Sequence, residues 1–321
     1  MIGGRRITVT VPAHDEEGLV GRTLATIPAE VDSIVVVDDC STDGTEKEAR
    51  AAAARDPRIE VVRRAANGGV GAAIVTGYKR FLERGDDVCV VMAGDAQMDP
   101  ADLSRLVEPV VSGRADYAKG NRLDTLDVVR VMPKQRLVGN IIFTLLTKWA
   151  SGYWHVVDSQ CGYTAITRET LRRIDLDRVY ERYGVPNDLL VRLNAARARV
   201  CDVPVRAVYG DEVSGIDPWT TIPRICCLLF RGFWWRMWQR YVLRDFHLLV
   251  LLYVFGAIAL TGGLVLGLAI VYWRYLAATR VTEGTYQLCV LLTLLGVQSV
   301  LFAMVFDMMH NAELRVRAAD R

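Results

Sequence analysis

Two stretches without a full charge constrain this chain most: Leu248 to Trp273 and Gly284 to Phe306. Each exceeds the roughly 20 apolar residues that an α-helix needs to cross a ~30 Å hydrocarbon layer. They stand near the end of a chain of 321 residues, and about three quarters of it precedes them. That earlier part is long enough for one α/β domain with a full core. The expectation is a globular domain tied to a bilayer by a two-helix hairpin, with one partner in water and the other in lipid.

The net charge of +2 gives no strong field for polyanions, so no nucleic-acid partner is expected. The local charges say more. Arg224, Arg231, Arg236, Arg240 and Arg244 crowd the approach to the first span, and Arg315, Arg317 and Arg321 follow the second. The short loop between the spans carries Arg274, Arg280 and Glu283. The positive-inside rule then places both termini and the domain in the cytoplasm, on the plasma membrane of a bacterium or archaeon. The first apolar run, Ile7 to Val11, is too short for a signal peptide and leads into polar residues. The seven cysteines form no CxxC pair, which argues against zinc and a disulfide framework. Cys226 and Cys227 are open to acylation or to ordinary packing, and packing is the expectation.

Before the spans, short β-branched runs alternate with helical patterns. Ile7–Val11, Ile34–Val37, Ile59–Val62 and Val88–Met92 read as buried strands; Gly18–Ile27, Thr45–Arg55 and Gly71–Glu83 read as helices. Asp43 is the expected N-cap of the second helix, with Glu46 completing a capping box. Such alternation predicts a mainly parallel sheet covered on both faces. Further on, Tyr117–Lys119, Gly162–Ile166 and Val200–Val208 read as strands, with helices over Lys134–Ser151 and Asn187–Arg199. Asp217 to Phe246 is rich in Trp and Arg and reads as one or two helices lying on the membrane. The expected organisation is a catalytic domain over 1–216, juxtamembrane helices over 217–246, spans over about 247–273 and 284–309, and a tail over 311–321.

Ligands in parallel sheets bind beyond the C-terminal ends of the strands. Here those ends are polar: Pro12-Ala13-His14-Asp15-Glu16, Asp38-Asp39 and Gly94-Asp95-Ala96-Gln97. A carboxylate just past a strand, with a second oxygen ligand two residues on, can hold Mg²⁺ against a diphosphate, because that ion keeps several waters and needs few protein ligands. The plainer reading of the same stretch is a turn, with Asp99-Pro100 starting a helix. Adjacent carboxylates at Asp38-Asp39 repel unless one meets a donor, such as a nucleobase imino group or a ribose hydroxyl; helix capping by Ser41 or Asp43 is compatible with either. Asn67-Gly68-Gly69-Val70-Gly71 is glycine-rich, but its spacing misses the dinucleotide fingerprint and points to a tight turn with close helix packing. This leaves a dehydrogenase as the weakest reading.

Val11 to Glu16, Val37 to Thr45, Gly94 to Pro100 and Asp158-Ser159-Gln160-Cys161-Gly162-Tyr163 together resemble family 2 glycosyltransferases of the GT-A fold, in the polyprenyl-phosphate branch that includes dolichyl-phosphate mannose synthases. The resemblance implies an α/β, Rossmann-like mixed sheet of nucleotide-diphospho-sugar transferase type, followed by interfacial helices and a two-helix transmembrane hairpin. It implies a nucleotide pocket at Pro12, Ala13, His14, Glu16, Val37, Asp39, Gly94 and Asp95, and Mg²⁺ or Mn²⁺ on Asp95 and Gln97. By the same likeness Arg122 lies near the donor phosphates, and Arg122, Arg136, Asp158, Ser159 and Gln160 surround the lipid phosphate. Tyr117, Lys119 and the 123–131 segment are expected to form a lid.

Two departures stand out. The family's Asp-x-Asp reads Ala93-Gly94-Asp95, and the arginine and lysine usual after the last strand are replaced by Tyr209 and Gly215, with Asp211 and Glu212 between them. The implied reaction is inverting transfer of a sugar from a nucleotide donor to a polyprenyl phosphate. A UDP-sugar is favoured as donor, with GDP-mannose the alternative. Asp158 is expected to orient groups, with general base as its second role. Two other readings are carried: a processive polysaccharide synthase, whose Gln-x-x-Arg-Trp order is absent from Trp235 to Tyr241, and a non-catalytic nucleotide-binding scaffold, motivated by Ala93. His155 and His247 are isolated and read as structural. Asp307 and His310 are expected to meet water at the end of the second span. Gly262-Gly263 and Gly267 mark a close helix contact, either within the hairpin or between copies in a homo-oligomer.

Overall fold

A computed structural model of the chain describes residues 1–123, 134–206, 218–244, 246–277 and 279–318. The side chain of Arg136, the expected lid over 124–131, and Tyr209, Asp211, Glu212 and Gly215 lie outside the described residues. The chain divides into two compact units, Met1–Trp234 with Glu313–Arg321, and Trp235–Ala312.

The first unit is built on β1 (Ile7–Ala13), α1 (Val20–Thr26), β2 (Ser33–Asp38), α2 (Thr45–Ala53), β3 (Ile59–Arg63), α3 (Val70–Arg84), β4 (Val88–Val91), α4 (Leu103–Val111), β5 (Tyr117–Asn121), α5 (Lys134–Ser151), β6 (Thr164–Thr167), α6 (Arg168–Arg172), α7 (Val185–Ala195) and β7 (Val200–Pro204). α8 (Pro218–Tyr241) follows as one continuous helix, and β8 (Arg315–Val316) joins from the end of the chain. The strands form one sheet in the order β3-β2-β1-β4-β6-β5-β7-β8. β6 alone runs antiparallel to its neighbours, so β1, β2, β4 and β5 all end at the same rim.

Both faces of the sheet are covered, and the two-residue period of a strand sorts its side chains between them. Val88 and Val90 of β4 enter a core with Ile7, Val9, Leu103 and Leu106. Cys89 and Val91 enter the opposite one with Tyr78, Phe81, Leu189 and Leu190. A fully buried Val, Leu or Ile contributes about 1.5–3 kcal/mol, so the continuous apolar runs of β1 and β2 hold the frame on which the rim turns are mounted.

Two local expectations differ from the structure. Gly44, not Asp43, precedes α2 at its cap, while Asp43 accepts from the backbone N–H of Thr45 at 2.9 Å. Glu46 turns to Arg50 instead of closing a capping box, because a guanidinium offers a stronger partner than a backbone N–H. The tail is not a free appendage either. β8 pairs in parallel with β7, and Leu314 is buried in the core with Tyr153 and Val200.

In the second unit, α9 (Leu248–Val271) and α10 (Glu283–His310) belong to two helical stretches long and apolar enough to cross a membrane, each with a mean hydropathy of 2.4. Most of their apolar side chains are exposed, as a lipid-facing surface requires. The glycine contact lies within the hairpin. A Cβ on Gly263 would come within 2.6 Å of Thr293 Oγ1, and one on Gly256 within 2.7 Å of Val300 Cγ2. Asp307 does not meet water. It is fully buried, with Arg236 Nη1 and Nη2 at 2.9 and 3.0 Å and the Tyr241 hydroxyl at 2.8 Å. Arg236 and Arg240 are buried as well, so these two of the five clustered arginines turn inward.

Candidate active site

The turns after β1, β2 and β4 are sharp. Asp15, Cys40 and Ala96 adopt left-handed backbone, with φ of 53°, 61° and 56°. Non-glycine residues pay for that conformation, and it persists where the surroundings fix it. The surroundings are visible: the Asp15 N–H donates to Ser41 Oγ at 3.1 Å, and the Ala96 N–H donates to Thr23 Oγ1 at 3.1 Å. Thr23 itself donates to the Gly94 carbonyl, so α1 pins the turn that presents Asp95.

These turns open onto a cleft of about 440 Å³. Pro12, Ala13, His14, Glu16, Asp39, Gly94 and Asp95 all line it, bringing together all but one of the residues expected around the nucleotide. Val37 is buried in β2 beside Val35 and Ala73 and supports the floor. Asp38 and Asp39 escape mutual repulsion by taking different partners. Asp38 pairs with Arg63 at 3.2 Å and accepts from Ser41 N–H at 3.0 Å. Asp39 pairs with Arg64 and accepts from the N–H groups of Gly68 and Gly69 at 3.1 and 2.7 Å. The glycine-rich turn therefore serves Asp39, and the close packing expected there is real. Asn67 also bonds His14 Nε2 at 2.8 Å.

Asp95 Oδ1 accepts the backbone N–H of Gln97 at 3.0 Å. Among the described residues no group of three or more His, Cys, Asp or Glu side chains is placed to hold a metal ion alone. One carboxylate at the mouth of a polar cleft fits an Mg²⁺ or Mn²⁺ that arrives with a diphosphate and keeps water in its shell. Asp99 has the plainer role, accepting from the Ala101 N–H at 2.9 Å to start the turn into α4.

A second cluster stands at the same rim, after β5 and before β6. Asp158 is fully buried, and Arg122 grips it with Nε at 2.7 Å and Nη2 at 3.2 Å. Burial alone would raise the Asp158 pKa, but the Arg122 charge and hydrogen bonds outweigh it and hold the carboxyl below its ordinary value. The Gln160 N–H donates to Asp158 Oδ1 at 3.1 Å, and Gln160 Nε2 donates to Ser159 Oγ at 2.9 Å. Ser159 also meets Thr144 of α5 at 3.2 Å. The expected acceptor residues Arg122, Asp158, Ser159 and Gln160 are thus one bonded group.

Tyr117 and Lys119, expected in a lid, are instead fully buried in β5 and form a layer beneath it. Lys119, fully buried in β5, donates to the Cys161 carbonyl, and burial lowers its pKa. Its neighbour across the strand pair is Asp202 of β7, whose carboxyl burial pushes up to about 7. Asp202 Oδ2 accepts from the Val157 N–H at 3.2 Å, and its buried Oδ1 has no hydrogen-bond partner among the described residues. A buried lysine inside a strand marks this layer in the sequence. The two histidines have structural partners: His155 Nε2 lies 3.0 Å from the Val200 carbonyl and is pushed down to about 4 by burial, and His247 caps α9 through the Leu249 N–H.

A mixed sheet with one antiparallel strand and a nucleotide-sized cleft at its rim is the GT-A arrangement, and the protein is a glycosyltransferase. The family model for "Glycosyl transferase family 2" matches residues 8–175, and the chain belongs to that family. It is 35% identical over 207 residues to the polyprenol monophosphomannose synthase of Mycolicibacterium smegmatis, covering 63% of this chain and 77% of that one. It is 26% identical over 218 residues to the UDP-N-acetylglucosamine–dolichyl-phosphate N-acetylglucosaminyltransferase of Methanococcus voltae, covering 64% and 86%. The glucosyl-3-phosphoglycerate synthase of Mycobacterium tuberculosis, solved with Mn²⁺, UDP and glucosyl-3-phosphoglycerate, shares the fold with a TM-score of 0.51 and 23% identity, over 73% of this chain and 80% of that one. The named relatives place the chain in the polyprenyl-phosphate branch of the family.

Proposed function

We propose that the protein transfers a sugar from a nucleotide-diphosphate donor to a polyprenyl phosphate in the membrane, with inversion at the anomeric carbon. The observation that carries this reading is the adjacency at one rim of a nucleotide-sized cleft and the bonded Arg122–Asp158 group. The donor's base and ribose fall to His14, Asp39 and the Gly68-Gly69 turn, and its diphosphate to Asp95. A metal ion bound there supplies positive charge to the departing diphosphate.

The acceptor phosphate attacks the anomeric carbon from the face opposite the leaving group. A phosphate monoester has its second pKa near ~6, so it reaches neutral pH mostly as a dianion and needs little help from a base. That chemistry matches an Asp158 already engaged by Arg122: the pair orients the guanidinium toward phosphate and is poorly placed to take a proton. α5 supports a lipid acceptor. It carries Thr144 on the Ser159 side and exposes Ile141, Ile142 and Leu145, each about half accessible, as a lipid tail or bilayer would require.

Cytoplasmic termini follow from the flanking arginines, and the return of the chain to β7 after both spans supports having the domain and the tail on one side of the bilayer. UDP-sugars are the favoured donors and GDP-mannose the second. The test is product formation by the purified protein from a panel of labelled UDP- and GDP-sugars with a short polyprenyl phosphate. A single lipid-linked monosaccharide is expected; a growing polymer would favour a processive synthase, and no product with any donor would favour a scaffold.

A further inference from the structure

We propose that Arg182 and Arg224 hold the donor's diphosphate, supplying the basic grip that the family resemblance implies. The inference rests on the donor reading above and deepens it. The strand rim gives the cleft Glu16, Asp39 and Asp95, all acidic, and a diphosphate cannot settle among them without positive charge nearby. Among the described residues, the arginines that line the cleft are Arg182 and Arg224. Both are exposed, and neither has a side-chain hydrogen bond or ion pair among the described residues. Arg64, by contrast, is committed to Asp39.

Three glycines build this wall. At Gly71 a Cβ would come within 2.2 Å of the Tyr180 carbonyl oxygen, so the 180–182 segment can lie directly on the first turn of α3. The Ala72 N–H fastens it there by donating to the Glu181 carbonyl at 2.9 Å. At Gly69, with φ +94°, a Cβ would lie 3.1 Å from Arg182 Cγ, so its absence gives the arginine stem its path. At Gly184, with φ +115°, a Cβ would meet Leu228 Cδ2 at 3.2 Å and Ile225 Cγ1 at 3.5 Å. That close approach seats α8 on the same loop, and Arg224, the residue before Ile225, lines the same cleft as Arg182. The other end of the loop is fixed by the Tyr180 N–H donating to Asp188 at 2.9 Å. Two arginines with fixed bases and uncommitted heads suit the fork geometry of phosphate oxygens.

The experiment is calorimetric titration of the full-length protein in detergent with UDP, GDP, UMP and GMP in the presence of Mg²⁺, and with farnesyl phosphate. Arg182→Gln and Arg224→Gln should each weaken the preferred diphosphate about tenfold, the loss of one charge-assisted bond. The double variant should lose more, and the matching monophosphate should be affected less. The double lysine variant should recover part of the affinity, and melting temperatures should stay near wild type because both side chains are exposed. Unchanged diphosphate binding in the double glutamine variant overturns the proposal. So does a loss confined to farnesyl phosphate, which would assign the arginines to the acceptor. A wild-type protein that binds neither UDP nor GDP overturns the donor reading itself, and this inference with it.

Discussion

Arg122 and Asp158 share two side-chain hydrogen bonds, 2.7 and 3.2 Å long, across 36 residues of sequence. The carboxylate is wholly buried and the guanidinium partly exposed, so the pair presents its positive side to the rim. Removing the acid leaves that cation without its main counter-charge, and removing the cation strands a buried carboxylate.

Asp158→Asn should therefore lower both stability and turnover. Losing charge-assisted hydrogen bonds to the partly exposed Arg122 costs about 1.5–3 kcal/mol, and turnover should fall at least roughly a hundredfold as the orientation of Arg122 is lost. The informative measurement is the pH profile. If Asp158 only positions Arg122, the residual activity of the variant keeps the wild-type pH dependence. A lost acidic limb would instead make Asp158 a base.

Ala93 lines the cleft two residues before Asp95, at the position where the family resemblance implies a first carboxylate. Ala93→Asp should lower the Mn²⁺ concentration for half-maximal activity by about tenfold, since each added carboxylate strengthens an oxygen site. Asp95→Asn should raise it by a similar factor or more. Turnover indifferent to both changes, and to chelator, would remove the metal from the proposed mechanism.

Asp202 gives a stability prediction with a definite sign. Its carboxyl holds a proton up to about pH 7 in the folded protein, against an ordinary value of 3.8. Between those two pH values the folded state binds a proton that the unfolded chain has released, so stability falls as pH rises through the window and levels off above it. Lys119 and Lys148 draw the pKa down and Asp158 pushes it up, but burial dominates. Asp202→Asn should be less sensitive, and its melting temperature should gain on wild type by several degrees from pH 5 to pH 8. Parallel melting curves for the two proteins would sink the assignment.

Within the membrane unit, Arg236→Ala or Asp307→Ala should each destabilise by about 3–5 kcal/mol, because each leaves one buried charge alone. A double replacement by Met and Leu should recover most of that loss. Thermal unfolding in detergent checks both statements, and a double variant no better than the singles would show that Tyr241 and Asn311, whose Nδ2 donates to Asp307 Oδ1 at 2.9 Å, need Asp307 for themselves.

Much of the candidate site was readable because its parts stand beside strand ends. A run such as Ile7–Val11 fixes where a parallel strand stops, and the polar residues that follow must lie at the rim. Arg182 and Arg224 could not be found that way. They follow no strand, and they reach the cleft only because Gly71 and Gly184 allow backbone and helix to approach. The wrong cap at Asp43 is a one-residue error between two good cap formers, Asp43 and Gly44. Asp307 was misread for a different reason: position near the end of a span predicts water, but its partner Arg236 lies 71 residues earlier. β8 has two residues, too few for any periodicity to show.

That short strand closes the edge of the sheet beside β7. The sheet that carries the catalytic rim is completed by residues synthesised only after both apolar helices. Loss of that pairing would leave β7 as an open edge, with unpaired backbone groups able to add a strand from another chain.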